Sequence, residues 1–169
     1  MIIDCHGHYT TTPPGVAAWR DAQKEAVAAD PDHISSKGVM TVSDDEIRES
    51  IETNQLRVQQ ERGTDVTVFS PRASWMGHHV GNASTSQAWT EHCNDLIRRV
   101  CDLFPTNFVP VCQLPQSPQT PIGTSITELR RCVEEMGFIG CNLNPDPSGG
   151  YWKDPVSYTH LTLPTKQMV

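Results

Sequence analysis

Four short apolar runs recur along the chain, and each closes on polar residues. They are IIDCH (2–6), DVTVFSPR (65–72), FVPVCQLP (108–115) and FIGCNLNP (138–145). Their β-branched and aromatic content reads as strand. The stretches between them carry helical periodicity. Strands joined through helices are the connection that parallel pairing requires, because parallel neighbours cannot be linked by a tight hairpin. The pattern predicts an α/β chain with about four parallel strands alternating with helices. The polar residues gather at the C-terminal end of every run: Asp4 and His6, Ser70 and Arg72, Gln113, then Asn142 and Asn144. In parallel α/β folds that end is where sites are built.

The intervening segments carry their own start and stop signals. Residues 16–29 have a helical composition. Ser43 and Glu46 are spaced as a capping box, and Gly63 is a natural stop for the helix that follows. That helix shows a thin apolar face of Ile47, Ile51 and Val58. Between Ser86 and Leu103 the apolar positions Trp89, Cys93, Leu96, Ile97, Val100 and Leu103 trace one helical face, which Pro105 ends. Ser125 and Glu128 form a second capping-box spacing, with Ile126, Leu129, Val133 and Met136 expected as the buried face behind it and Gly137 as its stop.

His6 and His8 are separated only by Gly7. Side chains alternate along a strand, so an i, i+2 pair points both imidazoles to one side. Two convergent neutral imidazoles suit a divalent metal such as zinc; the plainer reading is a polar strand end with two solvated histidines. Asp4 can orient one of them or cap a backbone group. Paired histidines also occur at His78 and His79, in the loop after the second strand, where Trp75 can wall a pocket. His33 and His92 read as structural.

Length and charge narrow the class. With 169 residues the chain has the size of one domain. A net charge of −7 without a basic patch argues against a nucleic-acid or anionic-membrane partner. There is no apolar run long enough for a membrane span and no signal-peptide pattern at Met1, so a cytoplasmic protein is expected. The six cysteines are scattered, with no Cys-x-x-Cys pair, which suits reduced thiols better than disulfides or a zinc ribbon.

IDCHGH after the first strand resembles the Asp-x-His-x-His signature of the amidohydrolase superfamily. Within it the resemblance is to the branch of aminocarboxymuconate-semialdehyde decarboxylase, and there to the 4-oxalomesaconate hydratases. It is carried by MIIDCHGHY (1–9), GTDVTVFSPRA (63–73) and NFVPVCQLPQ through MGFIGCNLNPDPSGGYW (to 152). The resemblance implies the N-terminal half of a (β/α)8 TIM barrel over residues 1–155, with Zn2+ or another divalent metal at its C-terminal mouth. It implies His6 and His8 as the first two metal ligands. Arg72 is then placed to hold a carboxylate of a small di- or tricarboxylate substrate, with Ser70, Asn142 and Asn144 as weaker substrate-binding candidates. The implied reaction is metal-assisted hydration of a carbon–carbon double bond. A zinc-dependent decarboxylase or another amidohydrolase-type hydrolase are the alternatives, and the enzyme is expected to be a homo-oligomer.

A zinc site needs three or four protein ligands, and a whole barrel needs about 250 residues. The resemblance implies that the remaining ligands and the general base come from strands in the second half of the barrel, outside this chain, which by itself would be an inactive fragment with exposed sheet edges, poorly soluble or dimeric. VSYTHLTLPTKQMV (156–169) breaks the pattern where a fourth crossover helix should begin, and reads like a translated sequencing adapter. A genuine short strand is the other reading of it. On the first, His160 is not a ligand.

Overall fold

A computed structural model describes residues 1–72, 76, 80–117 and 121–143. Trp75, His78, His79, Asn144 and the whole of 156–169 lie outside the described residues.

The four expected strands form in order and pair in parallel. β1 (Ile3–Tyr9) pairs with β2 (Val66–Pro71), and β2 with β3 (Phe108–Pro110). After a break at Val111 the same run continues as β4 (Cys112–Gln113), which pairs with β5 (Cys141–Asn142). Pro110 explains the break. It has no N–H to give the ladder, so the run changes partners around it: Val111 N still donates to Phe69 O, while Pro110 O accepts from Ile139 N and Gly140 O from Cys112 N.

The helices are α1 (Pro14–Ala29), α2 (Asp44–Ile51), α3 (Arg57–Glu61), α4 (Ala83–Leu103) and α5 (Ile122–Arg130). A π-helical turn, Glu52–Leu56, joins α2 to α3, and another, Arg131–Glu135, extends α5. The capping box at Ser43 is formed in full, with Glu46 reaching back to the Ser43 backbone N–H. Gly63 and Gly137 both take positive φ where their helices end, a conformation glycine adopts without steric cost.

The two faces of the sheet differ. On β2, Thr67 and Phe69 are buried against the helices, whereas Val66 and Val68 on the other face are half-buried. The core lies on the helical side, where Tyr9, Phe69 and Phe108 meet Ile47, Ile51, Leu96, Ile97 and Val100. The outer strands carry exposed apolar side chains, Ile2 and Ile3 at one side and Ile139 and Leu143 at the other.

The expected face of α5 is corrected by the structure. The helix starts at Ile122 with Pro121 as its N-cap and no side-chain cap. Ser125 and Glu128 are therefore inside the helix, not capping it, and both are buried with Cys132. Ser125 Oγ donates to Pro115 O at 2.8 Å. Arg131 closes a fork on Glu128, Nε to Oε2 and Nη2 to Oε1, both at 2.8 Å, and Asn94 Nδ2 reaches Oε1 at 2.7 Å. A buried carboxylate with this many charge-assisted partners is satisfied, and its placement rotates Ile126 and Val133 outward, to 47% and 43% exposure. Leu129 and Met136 do pack on the core.

His92 is buried in α4, stacked on Trp19 with ring centroids 4.6 Å apart, and Trp89 stacks nearby. Burial pushes its pKa below 6.5, because the folded state disfavours the charged imidazole. The unfolded chain takes up the proton near pH 6.5, so the His92 contribution to stability is constant above that pH and is lost as pH falls from 6.5 through the lower folded value. In thermal melts of the full-length protein at pH 7.5 and 5.5, His92→Gln is expected to shrink the acid-induced drop in Tm; an unchanged drop would remove His92 as a source of it.

Candidate metal centre

Sheet registry explains why His6 and His8 face one way and Asp4 another. Asp4 lies opposite Thr67 and Gly7 opposite Phe69, so Cys5 and His6 together oppose Val68. This two-against-one step is a β-bulge, which leaves a backbone amide without its ladder partner. Asp4 Oδ1 accepts from that amide, His6 N, at 3.1 Å. Of its two expected roles, Asp4 therefore takes the backbone cap. After the bulge normal alternation resumes, and Gly7 sits between the histidines where a side chain would enter the helical face. A Cβ there would lie 2.3 Å from Thr67 Cγ2. The need for glycine was not deduced from the sequence, although an isolated glycine inside a strand is itself the signal of close backbone approach.

The imidazoles converge at the C-terminal end of β1. His6 Nε2 and His8 Nε2 are 3.0 Å apart, with the rings nearly perpendicular. Two nitrogens bound to one zinc at about 2.0–2.1 Å would lie roughly 2.8–3.4 Å apart for right-angled to tetrahedral bonds. The pair therefore fits one divalent ion. The electrostatics agree. Burial first, then the neighbouring His6 and Arg72, lower the His8 pKa against the opposing hydrogen bond to Pro71 O, which favours the neutral imidazole, the form a metal ligand requires. Among the described residues no third His, Cys, Asp or Glu completes a metal-binding group.

The other candidates come from the ends of β2 and β5. Arg72 follows β2, is exposed, and acts electrostatically on His8; among the described residues it forms no ion pair. Ser70, in register opposite His8, is only 3% exposed. Its Oγ lies 2.7 Å from His8 Nδ1, 3.0 Å from Gly7 O and 2.7 Å from Asn142 Nδ2. The structure thus brings His6, His8, Ser70, Arg72 and Asn142 to one end of the sheet, but turns Ser70 beneath His8 and not outward. The two asparagines could not be ranked from the sequence, because Asn142 and Asn144 both stand on polar alternation.

Residues 3–164 match the family described as amidohydrolase. The chain belongs to the amidohydrolase family. Among curated amidohydrolase relatives, it is 57% identical over 155 residues to the 2-keto-4-carboxy-3-hexenedioate hydratase of Sphingobium sp. (strain NBRC 103272 / SYK-6), covering 92% of this chain and 45% of that protein. Among solved structures, it is 47% identical to the 4-oxalomesaconate hydratase of Rhodopseudomonas palustris, with a TM-score of 0.78 over 89% of this chain and 44% of that one. A dihydroxybenzoic acid decarboxylase from Polaromonas sp. JS666, solved with bound manganese, shares the fold at 20% identity, with a TM-score of 0.54 over 85% of this chain and 38% of its own. The chain therefore spans less than half the length of the relatives it matches. The fold is that of the amidohydrolase barrels, of which the chain covers less than half.

Proposed function

We propose that the full-length protein carrying this chain is a metal-dependent hydratase. It adds water across the carbon–carbon double bond of 4-oxalomesaconate, in breakdown of protocatechuate or gallate by 4,5-cleavage, with zinc as its metal. The observation that carries this reading is a cation, Arg72, beside two convergent imidazole nitrogens at the strand ends. The high identity to two hydratases supports the choice of reaction. When bound, the ion supplies Lewis acidity toward a substrate oxygen or water.

The residues of this chain divide the remaining work. His6 and His8 hold the metal through Nε2. Arg72 presents a planar fork of donors to a substrate carboxylate, which a lysine cannot reproduce. Asn142 and Asn144 are the further substrate contacts in this reading. The hydroxyl joins one alkene carbon and a proton the other; the groups that move that proton, and the remaining metal ligands, belong to the length of the relatives that this chain does not span. The free thiols among the described cysteines suit a reducing cytoplasm.

Hydration is followed in the full-length enzyme by loss of the conjugated substrate's ultraviolet absorbance. Arg72→Ala is expected to raise KM about tenfold to a hundredfold, the size of a lost charge-assisted contact, and Arg72→Lys to recover only part of it. Release of carbon dioxide without hydration would overturn the assignment in favour of a decarboxylase. An unchanged KM in Arg72→Ala would remove Arg72 from the site.

A further inference from the structure

Ser70 has one proton to give and two lone pairs to receive with, and the three atoms around its Oγ leave one consistent assignment. Gly7 O, at 3.0 Å, can only accept, so it takes the Ser70 proton. Asn142 Nδ2, at 2.7 Å, can only donate, so it fills one lone pair. His8 Nδ1, at 2.7 Å, is left to donate into the other. Pro71 O gives the same answer independently: it lies 3.2 Å from Nδ1 and can only accept. The proton of neutral His8 therefore sits on Nδ1, and Nε2, the atom facing His6, carries the free lone pair. Each group in this chain is buried or half-buried, so water competes poorly for the bonds.

We propose that Ser70 and Asn142 are positioning residues that lock His8 in the Nδ1–H form and so prepare Nε2 to bind the metal. The inference rests on the reading of His6 and His8 as ligands. It gives Ser70 a role in place of substrate contact, because its hydroxyl has no donor or acceptor capacity left among the described residues. The chain of contacts also links β5 to β1 across β2, so the metal ligand on the first strand is aligned by a residue 134 positions later in the sequence (142 − 8).

The test is zinc affinity, measured on the full-length enzyme by competition with a chromophoric chelator, together with the visible spectrum of the Co2+-substituted protein. Ser70→Ala is expected to weaken zinc binding about tenfold to a hundredfold, as loss of a ligand's orienting partner does. The Co2+ bands should shift, while the Tm of the metal-free protein stays close to wild type. Ser70→Thr, which keeps the hydroxyl, should restore most of the affinity. Asn142→Ala removes the donor at the partly exposed end and should weaken zinc binding severalfold; it serves as the decisive variant if Ser70→Ala does not fold. Wild-type zinc affinity in Ser70→Ala or Asn142→Ala would overturn this proposal alone. A wild-type enzyme that binds no stoichiometric metal would overturn the ligand assignment with it.

Discussion

Gly7→Ala, the addition of one methyl group, is expected to strip the metal from the full-length enzyme and cut activity about a hundredfold. The added Cβ would lie 2.3 Å from Thr67 Cγ2, 3.3 Å from Val68 O and 3.4 Å from Phe69 Cδ2. The first distance is impossible for two carbons, and Thr67 has little means of relieving it. It is buried on the helical face, and a β-branched side chain is stiff at χ1. The strain must then move β1 relative to β2, at the one point flanked on both sides by His6 and His8. Overpacking of this kind costs about 1–3 kcal/mol or more, and a displacement of roughly 1 Å at a catalytic site costs on the order of a hundredfold in rate. The measurement is metal content by elemental analysis beside the hydration rate. Thr67→Ser in the same protein deletes Cγ2 and should return much of both; a double variant no better than Gly7→Ala would acquit Thr67, and a fully metallated, active Gly7→Ala would show that the strand yields.

Replacing both His6 and His8 by Ala should abolish bound metal and lower activity by at least about 10³-fold, since Lewis-acid assistance is worth several kcal/mol and about 4 kcal/mol corresponds to that factor. The two Nε2 atoms meet at 3.0 Å, so if they hold one ion together, each single variant should come close to the double. Residues acting as a unit give strongly non-additive losses. The fold should survive, because His6 is exposed and His8 only half-buried, and far-ultraviolet circular dichroism checks this. Stoichiometric metal in the double variant would sink the assignment of both ligands.

The elements that sequence reasoning found are those whose cause is local. The Ser43 capping box closes within one helical turn. Gly63 and Gly137 take φ values that their own chemistry permits. The strands are legible because four short apolar runs are rich in β-branched and aromatic residues, and the polar residues after them mark the end where a site can form. Where the sequence misled, the deciding partner lay far along the chain. On α5, Ile126 and Val133 have the right period for a buried face, yet the helix turns Ser125, Glu128 and Cys132 inward because Asn94, on α4, meets the carboxylate there, with Arg131 on the next turn completing its bonds. Periodicity identifies a stripe but not the neighbour that covers it.

The same division runs through the site. By itself the sequence determined that His6 and His8 share a side of β1, since alternation along a strand depends only on the backbone, and that Arg72, Ser70 and Asn142 stand at strand ends. Only the tertiary structure decided what each one touches there. Parallel registry set Ser70 opposite His8 and Thr67 beside Gly7. The bulge turned Asp4 to the His6 amide. Packing of β5 brought Asn142 onto Ser70, and that contact, with the carbonyls of Gly7 and Pro71, assigns the proton on His8. Hydrogen-bond direction depends on which atoms lie within about 3 Å, and atoms that close come from strands more than sixty residues apart.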